Sequence, residues 1–115
     1  MTFSTAHISA TAALVAVASA VVSTTLVRPR RPREVTAVAV MAGLTSFGWR
    51  MAANVDALNS DGVNWVSAND VLAGFVTYET LAMCAALAPP GDRSTFERLR
   101  VAIAAVAIVV NVVAI

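Results

Sequence analysis

Four long apolar runs, Ile8–Val27, Val35–Asn54, Val71–Ala88 and Leu99–Ile115, take up most of the 115 residues. Each approaches the ~20 residues that cross a ~30 Å hydrocarbon core at ~1.5 Å per residue. In lipid the backbone must satisfy its own N–H and C=O groups, so runs of this kind become helices. The last run is the shortest and crosses with help from flanking side chains that reach the interface. Composition agrees. The chain is 58% hydrophobic and only 13% charged, whereas a soluble domain of this size needs about a quarter of its residues charged. The expected fold is therefore all-α: one domain over residues 1–115, an integral membrane bundle of four transmembrane helices.

The linkers carry the orientation. Arg28-Pro29-Arg30-Arg31-Pro32-Arg33 is a stiff basic breaker after the first run. Asn54–Asp70 is acidic, with Asp56, Asp61, Asp70 and the turn signal Asn59-Ser60-Asp61-Gly62. Pro89-Pro90-Gly91-Asp92-Arg93 stops the third run, and Arg98 and Arg100 introduce the fourth. The first and third linkers hold seven of the eight basic residues, all arginines. By the positive-inside rule they belong in the cytoplasm, and the acidic linker and both termini lie outside. Trp49 and Trp65 flank the outer linker as an aromatic belt would. Ser67-Ala68-Asn69-Asp70 reads as a cap opening the third helix. The first run lacks a basic n-region and is followed directly by arginines, so it reads as a span rather than a cleaved leader. The asparagines at 54, 59, 64 and 69 are evenly spaced, but a five-residue period fits neither helix nor strand and is treated as accidental. The lack of Lys and the Ala/Val richness point to a GC-rich bacterial genome, or one of its phages, and hence to a bacterial cytoplasmic membrane.

Small residues recur on helical faces: Ala12, Ala16 and Ala20; Ala39, Gly43 and Ser46; Ala104, Ala107 and Ala114. Such spacing lets helices approach closely in lipid, either within the bundle or between copies. Glu79 lies nine residues beyond Asp70, about 13 Å along the axis. A carboxylate at that depth must be protonated, paired or turned toward water. Arg50 shares the stripe of Ala39, Gly43 and Ser46, and Asn111 shares that of Ala104 and Ala107. Arg50, Glu79 and Asn111 are therefore expected to form one intramembrane polar cluster, an ion or proton site or a structural ion pair. Ser46, Thr77, Tyr78 and Thr80 are its candidate supporting groups, though such hydroxyls also bond to their own helix carbonyls.

Other chemistries find no residues. The lone His7 offers no pair for haem or a metal centre, and no phosphate loop, nucleophile elbow or HExxH is present. No metal, cofactor or enzymatic activity is expected. A net charge of +1 argues against a nucleic-acid partner, which needs a concentrated basic face. The length and four-span layout are similar to the small multidrug exporters, but that family's membrane carboxylate sits in its first helix, and Ile8–Val27 carries no charge. Gly74-Phe75-Val76-Thr77-Tyr78 resembles a short part of the third helix of fluoride channels, and phage holins are likewise small, polytopic and oligomeric. No family follows from these likenesses. The expectation is an oligomeric pore or conduit, channel-like or holin-like. A non-catalytic accessory or assembly subunit and a proton-coupled small-molecule exporter are the alternatives. The expected partners are the lipid bilayer and either further copies of the chain or another membrane protein.

Overall fold

The computed structural model describes residues 2–26, 32–59, 61–63, 66–87 and 93–114. Arg28–Arg31, Ser60, Asn64, Trp65, the Pro89–Asp92 breaker and the side chains of Asp56, Asp61 and Ala114 lie outside the description. Four long helices dominate: α1 (Thr5–Leu26), α2 (Pro32–Ala52), α4 (Ala68–Leu87) and α5 (Arg93–Ala114). Between α2 and α4 stand the single turn α3 (Asp56–Asn59) and a two-stranded ribbon, β1 (Asp61–Val63) and β2 (Val66–Ser67). The strands are antiparallel, with Asp61 opposite Ser67 and Val63 opposite Val66.

The helices extend past the apolar runs because polar flanks continue the helix until a cap ends it. At the start of α1, Ser4 Oγ accepts the backbone N–H of His7 at 3.1 Å, a side-chain N-cap. Pro32 opens α2, where its missing N–H costs nothing. Ser67 and Asp70 make a reciprocal capping box on α4. Ser67 Oγ accepts the Asp70 N–H at 3.2 Å, and Asp70 Oδ2 accepts the Ser67 N–H at 2.8 Å.

Packing runs in a ring, α1 beside α2 and α5, and α4 beside α2 and α5. Successive long helices run up and down. Glycine sets two close approaches. A Cβ on Gly43 would come within 2.9 Å of Ala16 Cβ and 3.3 Å of the Ala12 carbonyl oxygen, so α1 and α2 touch backbone to backbone there. A Cβ on Gly74 would overlap Ile108 and reach 2.9 Å from the Ala104 carbonyl oxygen, which joins α4 to α5.

Apolar side chains lie across the outer surface as well as in the core. Leu14, Val17, Val21, Leu44, Phe75, Met83, Val101, Val109 and Val113 face outward, each more than half exposed. Thr11, Ser19, Ser23, Ser46, Arg50, Asn69, Asp70, Thr77 and Asn111 are buried. Large apolar side chains over much of the outer surface suit hydrocarbon rather than water as the surrounding solvent. Three helices are long and apolar enough to cross a membrane, within Thr5–Thr25, Arg33–Ala52 and Ala68–Leu87. The fourth, α5, is long but mixed. Arg93, Glu97, Arg98 and Arg100 occupy its first two turns, and from Val101 to Ala114 it rises only about 21 Å.

The interior is divided along its length. Val15, Val35, Val38, Ala42, Leu81, Phe96, Leu99 and Ile103 form a closed apolar core through the middle and one end. Polar side chains gather at the other end, where α1 begins, α2 ends, α4 begins and α5 ends.

Candidate functional site

Two polar centres emerge, one inside the bundle and one on its outer wall. The inner one is built on Arg50, in the last turn of α2 and only 1% exposed. Its guanidinium donates through Nε to Asn111 Oδ1 at 2.8 Å, through Nη1 to Asn59 Oδ1 at 3.3 Å, and through Nη2 to Asp70 Oδ1 at 2.5 Å. Asp70 is itself 3% exposed, so the ion pair is buried on both sides. The network continues outward. Asn69 Nδ2 donates to Asn59 Oδ1 and to the Ala53 carbonyl, and Trp49 Nε1 donates to Asn69 Oδ1 at 3.0 Å. Asn59 Nδ2 donates to Asn54 Oδ1, and Asn54 exchanges two hydrogen bonds with the backbone of Phe3. The Phe3 ring lies 5.9 Å from the Arg50 guanidinium and packs against His7. Asn111 Nδ2 returns to the Ala107 carbonyl at 2.7 Å. Arg50 of α2 is thus tied directly to α4 and α5, and the Phe3 ring that precedes α1 lies against it. Nε, Nη1 and Nη2 of this buried arginine each have an acceptor inside the bundle.

Of the expected cluster, Arg50 and Asn111 meet and Glu79 does not join them. The anion opposite Arg50 is Asp70. The reason is helical geometry. Nine residues are two and a half turns of α-helix, so Asp70 and Glu79 project from opposite sides of α4. Asp70, Ala73, Gly74, Thr77 and Leu81 are buried, and Glu79 is on the outside. A cation–anion pair read across α2 and α4 needed matching depth as well as a matching face, and Asp70 supplies both. The acidic linker reading had concealed it, since Asp70 belongs to the capped first turn of α4. The three described asparagines of the even series, 54, 59 and 69, also meet in one network. The loop between α2 and α4 folds back over the bundle end and brings them together, without any regular period.

The supporting groups separate similarly. Ser46 is buried one turn before Arg50, and its hydroxyl, like those of Ser19 and Ser23, has no hydrogen-bond partner among the described residues. Thr77 is buried and bonds the Ala73 carbonyl of its own helix at 2.7 Å. Thr80 is half-buried. Among the packing residues, Ala12, Ala39, Gly43 and Ala107 are buried, while Ala16, Ala20 and Ala104 are half-buried, Ala16 and Ala104 at the glycine crossings. A shallow outward groove remains above the Gly43 crossing, between Ala12, Ala16, Leu44 and Phe47.

The outer centre lies on the wall formed by α4 and α5. The Arg100 guanidinium stacks on the Tyr78 ring, 3.5 Å from its centroid, and its Nε donates to the Tyr78 carbonyl at 2.8 Å. Its Nη1 donates to Glu97 Oε2 at 3.1 Å, and its Nη2 lies 3.9 Å from Glu79 Oε1. The arginine is mostly covered, at 12% exposure, while the Glu79 and Glu97 side chains are 52% and 58% exposed. Three charges leave one net negative charge facing outward. The sequence reading places Arg100 only at the basic start of the last span and does not single out Glu97. The signal that links them to Glu79 is depth: α4 and α5 run antiparallel, so residues near the middle of one face the early turns of the other.

Compared with known protein families, with characterised proteins and with solved structures, the chain matches none. Its class rests on its own features: an all-helical protein with three helices long and apolar enough to cross a membrane and large apolar side chains on its outside.

Proposed function

We propose that this protein is a four-span membrane subunit, with both termini outside, that assembles into an oligomeric conduit whose polar path runs between copies. The single observation that carries this reading is the placement of Glu79. It sits near the middle of α4 between exposed Phe75 and Met83, with its side chain half exposed. An ionised group at the centre of a lipid-facing helix costs roughly 3 kcal/mol on insertion scales, so this wall faces water or protein. The closed core of Val15, Val38, Leu81, Leu99 and Ile103 supports a path outside the single bundle rather than through it. The longest dimension, 43 Å, suits a bilayer of about 40–45 Å with its headgroups. In this reading α5 is the fourth span, with Arg93 at its cytoplasmic end and its outward Val101, Val109 and Val113 meeting lipid.

The same closed core favours a second reading, an accessory subunit whose charged wall docks on a different membrane protein. Reconstitution separates the two. Purified protein in liposomes passes ions in the conduit reading, and Glu79→Gln lowers flux at least tenfold while leaving the protein folded. Unchanged flux in the variant refutes the conduit. A stoichiometric foreign protein copurifying from the native membrane, with no flux from the pure chain, establishes the accessory role.

A further inference from the structure

We infer that copies of this chain join head to tail, the α5 edge of one placing Arg98 against the Glu79 and Glu97 carboxylates on the α4/α5 wall of the next. The inference deepens the oligomeric reading by naming the surface and the partner, a second copy. Its first support is charge. Within one copy Glu79 and Glu97 share a single cation, Arg100, which is largely covered by Tyr78 and satisfied on three sides. One negative charge is left over. Arg98 is exposed on α5, and among the described residues it has neither an ion-pair nor a hydrogen-bond partner. One arginine from a neighbour brings these three charges to neutrality; of the exposed Arg33, Arg93 and Arg98, which have no partner among the described residues, Arg98 is the one next to Arg100 in depth on α5.

The second support is depth. Any cyclic assembly in a bilayer has its axis along the membrane normal, so equivalent residues of all copies lie at one level. Arg98 is two residues from Arg100 on the same helix, hence only about 3 Å away in depth. Arg100 in turn reaches both Glu79 and Glu97. Arg98 of a neighbour therefore arrives at the level of both carboxylates whatever the number of copies, and an arginine is the side chain best suited to grip a carboxylate.

The third support is direction. Around α5, Phe96, Leu99, Ile103 and Ala107 are buried, and Glu97 and Arg100 turn toward α4. Arg98 points away from that core, roughly a third of a turn from Glu97. It therefore does not share the carboxylate wall of its own copy. A surface that gives from one edge and receives on another makes a heterologous contact, which closes into a ring when the rotation allows. Exposed Phe75 and Met83 on either side of Glu79 would supply the apolar border of the contact, and burial of the ions strengthens their attraction.

The test uses the full chain in liposomes with Cys84→Ser, so that introduced cysteines are the only thiols. A short bismaleimide applied to the double variant Glu79→Cys/Arg98→Cys is expected to give a ladder of covalent oligomers. A mixture of the two single variants should stop at dimers, and neither single variant alone should cross-link. Absence of the ladder, or equal cross-linking in each single variant, overturns the head-to-tail contact. In a second measurement, Glu79→Arg and Arg98→Glu each weaken self-association about tenfold, a change of ~1.4 kcal/mol, and the combined swap restores it. Additive weakening in the swap overturns the pairing. Flux lost in Glu79→Gln without any ladder leaves the conduit standing and removes this interface. A ladder with flux indifferent to Glu79→Gln leaves the interface and removes the conduit.

Discussion

Replacing Asp70 with Ala strips the counter-charge from an arginine that is 1% exposed. Breaking a buried ion pair from one side costs about 3–5 kcal/mol, because the remaining charge is stranded. The Ser67 N–H loses its acceptor as well, which adds about 1 kcal/mol. Asp70→Ala is therefore expected to cost about 4–6 kcal/mol. Arg50→Met removes the cation and leaves Asp70 held only by its cap, for about 3–5 kcal/mol. In the double variant no charge is stranded, and the expected loss is smaller than the sum by about 3 kcal/mol or more. Reversible unfolding in mixed micelles, followed by far-ultraviolet circular dichroism, measures all three values. A single-variant cost below about 1 kcal/mol, or strict additivity, refutes the claim that this pair ties the helix ends together. Glu79→Gln is the control. Its carboxylate is half exposed and 3.9 Å from its cation, so its effect on stability is expected to stay within about 1 kcal/mol.

Four further outcomes are expected. Gly74→Ala forces α5 away at the Ala104 carbonyl, which cannot yield as a side-chain tip can, and is expected to cost about 1–3 kcal/mol. Gly48→Ala meets nothing within 4 Å and should stabilise α2 by about 0.5–1 kcal/mol, so the same unfolding assay checks two glycines of opposite sign. Ser67→Ala removes the cap of α4 at a cost of about 1 kcal/mol, and amide exchange should quicken in the first turn of α4 before it does elsewhere. With Cys84 replaced, an impermeant maleimide applied to whole cells should label Thr2→Cys and leave Arg33→Cys unlabelled; the reverse pattern would overturn the proposed sidedness.

Much of the helical character was written in the chain. Apolar runs of span length, broken by Arg-Pro and Pro-Pro-Gly linkers, admit little besides long helices, because hydrophobicity and breakers act locally. The cap at Ser67 was equally legible, since a capping box needs only four consecutive residues. So was the sharing of one buried face by Ala39, Gly43, Ser46 and Arg50, which follows from 3.6 residues per turn. Helix ends were less legible: hydropathy marks where a run is apolar, and α5 begins six residues before Leu99, at Arg93.

The partner of Arg50 was decided only by the tertiary structure. Charge alone offered several acids, and choosing Asp70 over Glu79 required both the depth of each and the side of α4 on which each stands. The gathering of Asn54, Asn59 and Asn69 was decided in the same way, by a loop folding back over the bundle end rather than by their spacing. So was the outward turn of Glu79 toward Arg100. The sequence settles what each segment is, through interactions a few residues long. Which charges meet is settled by how whole helices rotate and slide against one another, and close glycine crossings at Gly43 and Gly74 set that rotation here.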